Sequence, residues 1–305
     1  MSYLDNKASM GLTLQPTKTA GNEWFVDSVG GSSSNDGRSW GTAKATYAQA
    51  EALAAAGDII YIADNHAEAI ASAGAITVGL AGLTIICLGN GTAKPTFTLG
   101  TATTATFKIN AANVTLRNAR FVCNIDSLVK FIDVNANGFT IEDCDFVTSS
   151  TKEALSFINI ATTKDYLTIR RCTAEQPTDP AGTDGGVDTG FLYCVDSEYI
   201  TVEDCHFNGN FETAIFHNKT TKCRYLWVKN CYGIQALSGA EPFQLVADVD
   251  GGVFGGMFIT PAEAAATEAT LVGTIGDKFF VSPTTGFGND GAAGGQGGII
   301  VATAS

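Results

Sequence analysis

The sequence predicts an all-β chain wound as a parallel solenoid. Three observations carry this reading. One short strand motif recurs five times, a second strand precedes the copies, and no 3.6-residue periodicity separates them. The motif reads VTLRNARF from Val114, FTIEDCDF from Phe139, LTIRRCTA from Leu167, ITVEDCHF from Ile200 and LWVKNCYG from Leu226, at steps of 25, 28, 33 and 26 residues. A weaker copy, LTIICLGN, starts at Leu83. The preceding strands are FKINA from Phe107, FIDVN from Phe131, FINIA from Phe157, FLYCV from Phe191, IFHNK from Ile215 and FQLVA from Phe243.

The steps vary while the strand shape does not. A parallel solenoid tolerates this, because insertions fall in turns and each strand stacks on its equivalent one coil away. Leucine-rich and helical solenoids need helical periodicity between strands and are excluded. With strands about 4.8 Å apart, seven or eight coils give a core roughly 35 Å long. One coil cannot bury its apolar face alone, so stacking makes the core.

Each position of the motif has its own task. The first and third residues point inward, as at Ile200 and Val202. The fifth is Asn118, Asp143, Arg171, Asp204 or Asn230. Four of these five are types that tolerate the left-handed backbone of a tight bend. The sixth is Ala119, Cys144, Cys172, Cys205 or Cys231, so the four cysteines are expected to form one interior column. Phe146 and Phe207 follow on the same inner side.

Ahead of the repeat stand Trp24–Phe25–Val26–Asp27, Ser34–Asn35–Asp36–Gly37 and Ser39–Trp40–Gly41–Thr42. This stretch resembles the entry to the pectin-lyase-like right-handed parallel β-helices. The resemblance implies a right-handed helix of strands whose open core is capped by a short α-helix. Residues 47–56 (YAQAEALAAA) would form that cap, ended by Gly57, with residues 57–62 as the first stacked strand. The expected organisation is an arm at 1–21, the β-helix at 22–250 and a Gly-rich extension at 251–305. That extension holds 13 glycines and a net charge of −3, with a strand expected at 278–282. Composition leaves its role open between a cap, an oligomerisation arm and a tail.

Composition narrows the function. The 305 residues carry 18 Lys+Arg against 31 Asp+Glu, a net charge of −13, which disfavours nucleic acid and anionic membrane as partners. The longest apolar run, at 75–88, is too short to cross a bilayer. The N-terminus lacks the basic and apolar regions of a secretory signal, so synthesis in a reducing cytoplasm is expected, with free cysteines.

Glycan cleavage on a β-helix would call for paired carboxylates. The candidates are Glu142, Asp143, Asp145, Glu203 and Asp204, but they occupy repeat positions, which favours reading them as turns and a solvated outer row over catalysis. Pectate-lyase signatures (vWiDH, RxPxxR) do not occur; Arg170–Arg171 is the one adjacent arginine pair. The insertion EQPTDPAGTDGGVDTG, with Asp179, Asp184 and Asp188, is the loop best suited to binding, and those aspartates are the weak metal candidates. Cys194, Cys205, His206, His217, Cys223 and Cys231 cluster in sequence without zinc spacing. No cofactor is expected.

Proteins resembling this one are frequent among phage tail spikes, capsid decoration proteins and polysaccharide-degrading enzymes. The resemblance therefore implies a phage virion protein, a homotrimer bound to other capsid or tail proteins. The alternative is a tail spike that binds or cleaves a host surface polysaccharide.

Overall fold

A computed structural model describes residues 21–177, 189–218, 223–236, 240–245, 249–260, 279–282 and 285–288. The repeat resolves into three parallel sheets that the chain visits in the order A, B, C from Ile59 to Gln244. Sheet A stacks Glu23–Val26, Ile59–Ile62, Thr84–Cys87, Thr115–Arg117, Thr140–Glu142, Thr168–Arg170, Glu198–Glu203, Arg224–Lys229, Gly251–Phe254 and Phe279–Ser282. Sheet B runs from Ala67–Ile70 to Thr285–Gly288, and sheet C from Ala73–Val78 to Glu241–Gln244. Every strand pairing among these elements is parallel, from Glu23 on Ile59 at one end to Thr260 on Gly288 at the other. The chain is a parallel β-helix.

The five copies of the motif fall in register on sheet A, with Thr115, Thr140, Thr168, Thr201 and Trp227 side by side. The second strand of each unit builds sheet C, where Phe107, Phe131, Phe157, Phe191, Ile215 and Phe243 are all buried. The phenylalanines interlock along the axis. Phe121 stacks on Phe97 at 5.6 Å and on Phe146 at 5.3 Å, and Phe157 meets Phe146 edge-on. Side chains inside a stacked coil have neighbours above and below, which is why this core is continuous.

The fifth motif position is left-handed in every copy, with φ of 62° at Asn118, 57° at Asp143, 49° at Arg171, 54° at Asp204 and 50° at Asn230. Cys144, Cys172, Cys205 and Cys231 are fully buried beneath Ala119. Each thiol donates to the carbonyl two residues earlier, at 3.2–3.3 Å. The Ala119 and Cys172 amides in turn donate to the sulfur one coil on. Satisfied hydrogen bonds make this column packing.

The N-terminal end departs from expectation in two ways. The capping helix spans only Tyr47–Glu51, with Thr46 as its N-cap, rather than 47–56. Asp58 accepts the Ala55 amide at 2.8 Å, which draws the chain out of the helix before the left-handed Gly57. The first rung is Glu23–Val26, one coil before the strand at Ile59–Ile62. Asp58 also accepts Trp24 Nε1 and the Asn22 amide, both at 2.8 Å, tying that rung to the next. At the other end the stack passes residue 250, where the sequence reading ended it. Gly251–Phe254 and Met257–Thr260 continue sheets A and B, and Phe279–Ser282 and Thr285–Gly288 pair with them. These strands lack the Asn/Asp–Cys pair that marks the earlier copies, so the motif search misses them. The aspartates Asp179, Asp184 and Asp188, and the arm at 1–20, lie outside the described residues.

Candidate functional site

Of the five carboxylates proposed from the repeat, Glu142 and Glu203 end strands of sheet A, Asp143 and Asp204 lie at the turn that follows, and Asp145 opens a strand of sheet B. Strand register places Arg117, Glu142, Arg170, Glu203 and Lys229 in a single outer column of alternating sign. The expectation of a solvated outer row fails at Glu142, which is buried. Arg117 Nε lies 2.8 Å from Glu142 Oε2, and Arg170 and Arg171 approach it at 3.6 Å from the next coil. Three arginine stems cover the carboxylate and neutralise it. Glu203 pairs with Arg170.

Asp143 is gripped by Arg171 through both guanidinium edges, at 2.7 and 2.9 Å. That fork outweighs burial, which acts the other way, and pushes the Arg171 guanidinium further up from its already high range. Asp145 meets Lys94 Nζ at 2.9 Å and accepts from Thr173. Asp204 sits exposed on its left-handed turn. Structure thus brings these acids together as ties between coils. All but Asp204 have their oxygens engaged by arginine or lysine of a neighbouring coil.

All eight cysteines are free and buried in the packed interior. Burial pushes the thiols of Cys87, Cys144 and Cys205 well up, and that of Cys123 up to about 11. Nucleophilic or metal-binding sulfur needs the thiolate. Among the described residues no three His, Cys, Asp or Glu side chains converge as a metal site.

Two features were missed from sequence. On sheet C the outer column runs Lys108, Asp133, Asn159, Tyr193, His217 and Gln244, one residue per coil. Asp133, Asn159, Tyr193 and His217 are nearly enclosed. Lys130 Nζ lies 2.8 Å from Asp133, whose other oxygen accepts from Asn135 at 3.1 Å. His217 Nδ1 donates to the Thr189 carbonyl at 3.0 Å, and Tyr193 meets the ring edge-on. That bond puts the ring proton on Nδ1. At the turn leading into this sheet, the Asp126 carboxyl hydrogen-bonds that of Glu153. This contact, with Ser127 next, holds Asp126 below the ordinary carboxylate range. Glu153 is buried at this turn, while Asp126 lies at the surface. The sequence signal was a polar residue between apolar ones in each second strand: FIDVN, FINIA, FLYCV, IFHNK.

The second feature is an exposed aromatic ladder at the turn from sheet C to sheet A. Tyr166, Tyr199 and Tyr225 each precede the motif and stack ring on ring, at 4.9 Å with 2° between planes and at 4.7 Å with 14°. Their exposures are 57%, 42% and 40%. All three are left-handed, with φ of 63°, 58° and 56°, at the position that earlier coils give to Asn113 and Gly138. A bulky residue in that conformation costs about 1–2 kcal/mol. A stacked pair returns about 0.5–1.5 kcal/mol. Three strained residues and two pairs leave little or no net gain, so stability does not account for the ladder.

No family model matches the sequence, and no curated protein matches it. Among solved structures, a rhamnogalacturonan lyase superposes with a TM-score of 0.53 at 11% identity, covering 87% of each chain. A GH136 lacto-N-biosidase from Eubacterium ramulus gives 0.31 at 9% identity, over 87% of this chain and 67% of that one. The first likeness and the three parallel sheets together show that this chain has the pectin-lyase-like parallel β-helix fold.

Proposed function

We propose that the chain is the rod of a bacteriophage virion protein, a shell decoration or tail-associated β-helix that assembles as a homotrimer with other virion proteins. One observation carries the reading. The acids that the repeat offers for catalysis on sheet A are closed by arginines or lysine from neighbouring coils, except Asp204 on its exposed turn. They tie one coil to the next. A net charge of −13 keeps copies apart when crowded on a particle. Mass spectrometry of purified particles from the host that carries the sequence tests this. Stoichiometric recovery with the particles, and a trimer by light scattering, are expected. A monomer absent from particles defeats the reading.

A second reading rests on the Asp126–Glu153 contact. Carboxyl side chains are the groups that glycan hydrolysis draws on, and the rod would then be a polysaccharide-cleaving tail spike. Release of reducing ends from host capsule, abolished in Glu153→Gln, would establish it. No release across a capsule panel would dismiss it.

A further inference from the structure

We propose that Cys194 and Cys223 form a redox site, at which a small peroxide closes the two thiols into a disulfide that fastens one coil of the rod to the next. Register puts both residues at one corner. Cys194 ends the sheet C strand Gly190–Cys194. Cys223 stands directly before the sheet A strand Arg224–Lys229, one coil further on. Glu198 pairs with Arg224, and the Arg224 amide donates to the Ser197 carbonyl at 3.0 Å, so Cys223 lies over the turn that follows Cys194. The rise of one coil, about 4.8 Å, falls within the Cα separations of about 4.4–6.8 Å that a disulfide spans.

The two cysteines are 29 residues apart in sequence, yet their sulfurs lie 2.7 Å from each other. Non-bonded heavy atoms rest at about 3.5–4.0 Å, and a disulfide bond measures about 2.05 Å. The sulfurs have already crossed more than half of that interval. Asn218 fixes them there: its Nδ2 donates to Cys223 Sγ at 3.2 Å and to the Cys194 carbonyl at 2.7 Å. All three residues are buried, so packing holds the pair in place.

The interior column is arranged differently. The thiols of Cys144, Cys172, Cys205 and Cys231 each donate to a backbone carbonyl at 3.2–3.3 Å, and the sulfurs of Cys144 and Cys205 also accept backbone amides. Turning toward one another would forfeit those bonds. Cys123 likewise donates to the Ile125 carbonyl at 3.0 Å.

The chemistry balances with hydrogen peroxide as oxidant. The Cys223 sulfur, then burial, pushes the Cys194 thiol up, so Cys194 keeps its proton and Cys223 reacts first. Cys223 Sγ attacks one peroxide oxygen; the O–O bond breaks, a sulfenic acid forms, and the other oxygen leaves as water with the thiol proton. Cys194 Sγ then attacks the sulfenic sulfur. The S–O bond breaks, the S–S bond forms, and the hydroxyl leaves as water with the Cys194 proton. The sulfurs give up two electrons and the peroxide takes them. Hydrogen peroxide is little larger than water and enters where a bulky reagent is excluded. The closed ring spans residues 194–223, including the strand Ala214–His217, so these coils cannot part without breaking a covalent bond. The site does not depend on which assembly the rod belongs to.

Thiol counting on the full chain tests the proposal. Protein purified in reductant and desalted should show eight thiols in guanidinium. After hydrogen peroxide treatment of the folded protein the count should fall to six, eight minus the pair, and dithiothreitol should restore it. Non-reducing peptide mapping should join the Cys194 and Cys223 peptides. The linked rod should melt roughly 5 °C or more above the reduced one. Cys223→Ala should show neither the link nor the rise. A wild-type count that stays at eight, or a link through any of the other six cysteines, overturns the proposal. So does oxidation of Cys223 to a sulfinic acid without a link, or a linked protein that melts no higher than the reduced one. Mapping of the wild-type protein decides the matter even where Cys223→Ala does not fold.

Discussion

Arg171 holds Asp143 across one coil through both edges of its guanidinium, at 2.7 and 2.9 Å, and both residues are left-handed. Arginine is the odd residue in a column otherwise made of Asn and Asp, and its partner is the residue directly beneath it. Because both side chains are about 42% exposed, the pair is a surface pair. Asp143→Asn keeps the turn and should cost less than about 1 kcal/mol in urea unfolding.

Glu142, one residue earlier, should behave differently. It is buried among Arg117, Arg170 and Arg171. Removing it leaves Arg117 without its counter-charge, while Arg170 keeps Glu203 and Arg171 keeps Asp143. Glu142→Ala should cost about 2–3 kcal/mol, between the surface and fully buried limits. Urea melts of the two variants side by side measure the contrast; equal losses would contradict the burial argument.

Asp58 predicts an acid-sensitive end. Burial would raise its carboxyl, but bonds from Trp24, Ala55 and Asn22 outweigh this and hold it below the ordinary range. A depressed pKa gives stability that is present above the unfolded value, about 3.9, and is lost as pH falls through the folded one. Asp58→Asn should therefore lower the melting temperature at pH 7, and the gap from wild type should shrink below about pH 4. A gap independent of pH would remove the carboxylate from the account.

All eight cysteines are free and buried. Held in the packed interior, none should react with Ellman's reagent in the folded protein at pH 8, and all eight should react in guanidinium. Cys123, at 4% exposure the least enclosed of the eight, should be the first to react as the fold loosens. Prompt labelling of the native protein would contradict the packed column.

Phe146 stacks on Phe121 and meets Phe131, Phe157 and Phe191. It joins three coils, so Phe146→Ala should cost about 3–5 kcal/mol by calorimetry. A loss near 1 kcal/mol would show that neighbouring coils collapse into the space.

The sequence by itself determined the coil. Alternation at Ile200 and Val202 faced the core, Asn118, Asp143, Asp204 and Asn230 marked the bends, and four cysteines marked one interior column. These follow from local sterics and a two-residue side-chain period, which a single strand already contains. Only the tertiary structure decided which residues of different coils meet. Arg117, Glu142 and Arg170 are 25 and 28 residues apart, yet register stacks them into one ion column. Tyr166, Tyr199 and Tyr225 are 33 and 26 apart and become one ladder; each stands directly before its motif, a signal visible once the copies are aligned. Turn lengths absorb those unequal steps, so hydrogen bonding between coils, rather than spacing along the chain, sets the neighbours. For the same reason the enclosed column of Asp133, Asn159, Tyr193 and His217 emerges only when sheet C is assembled.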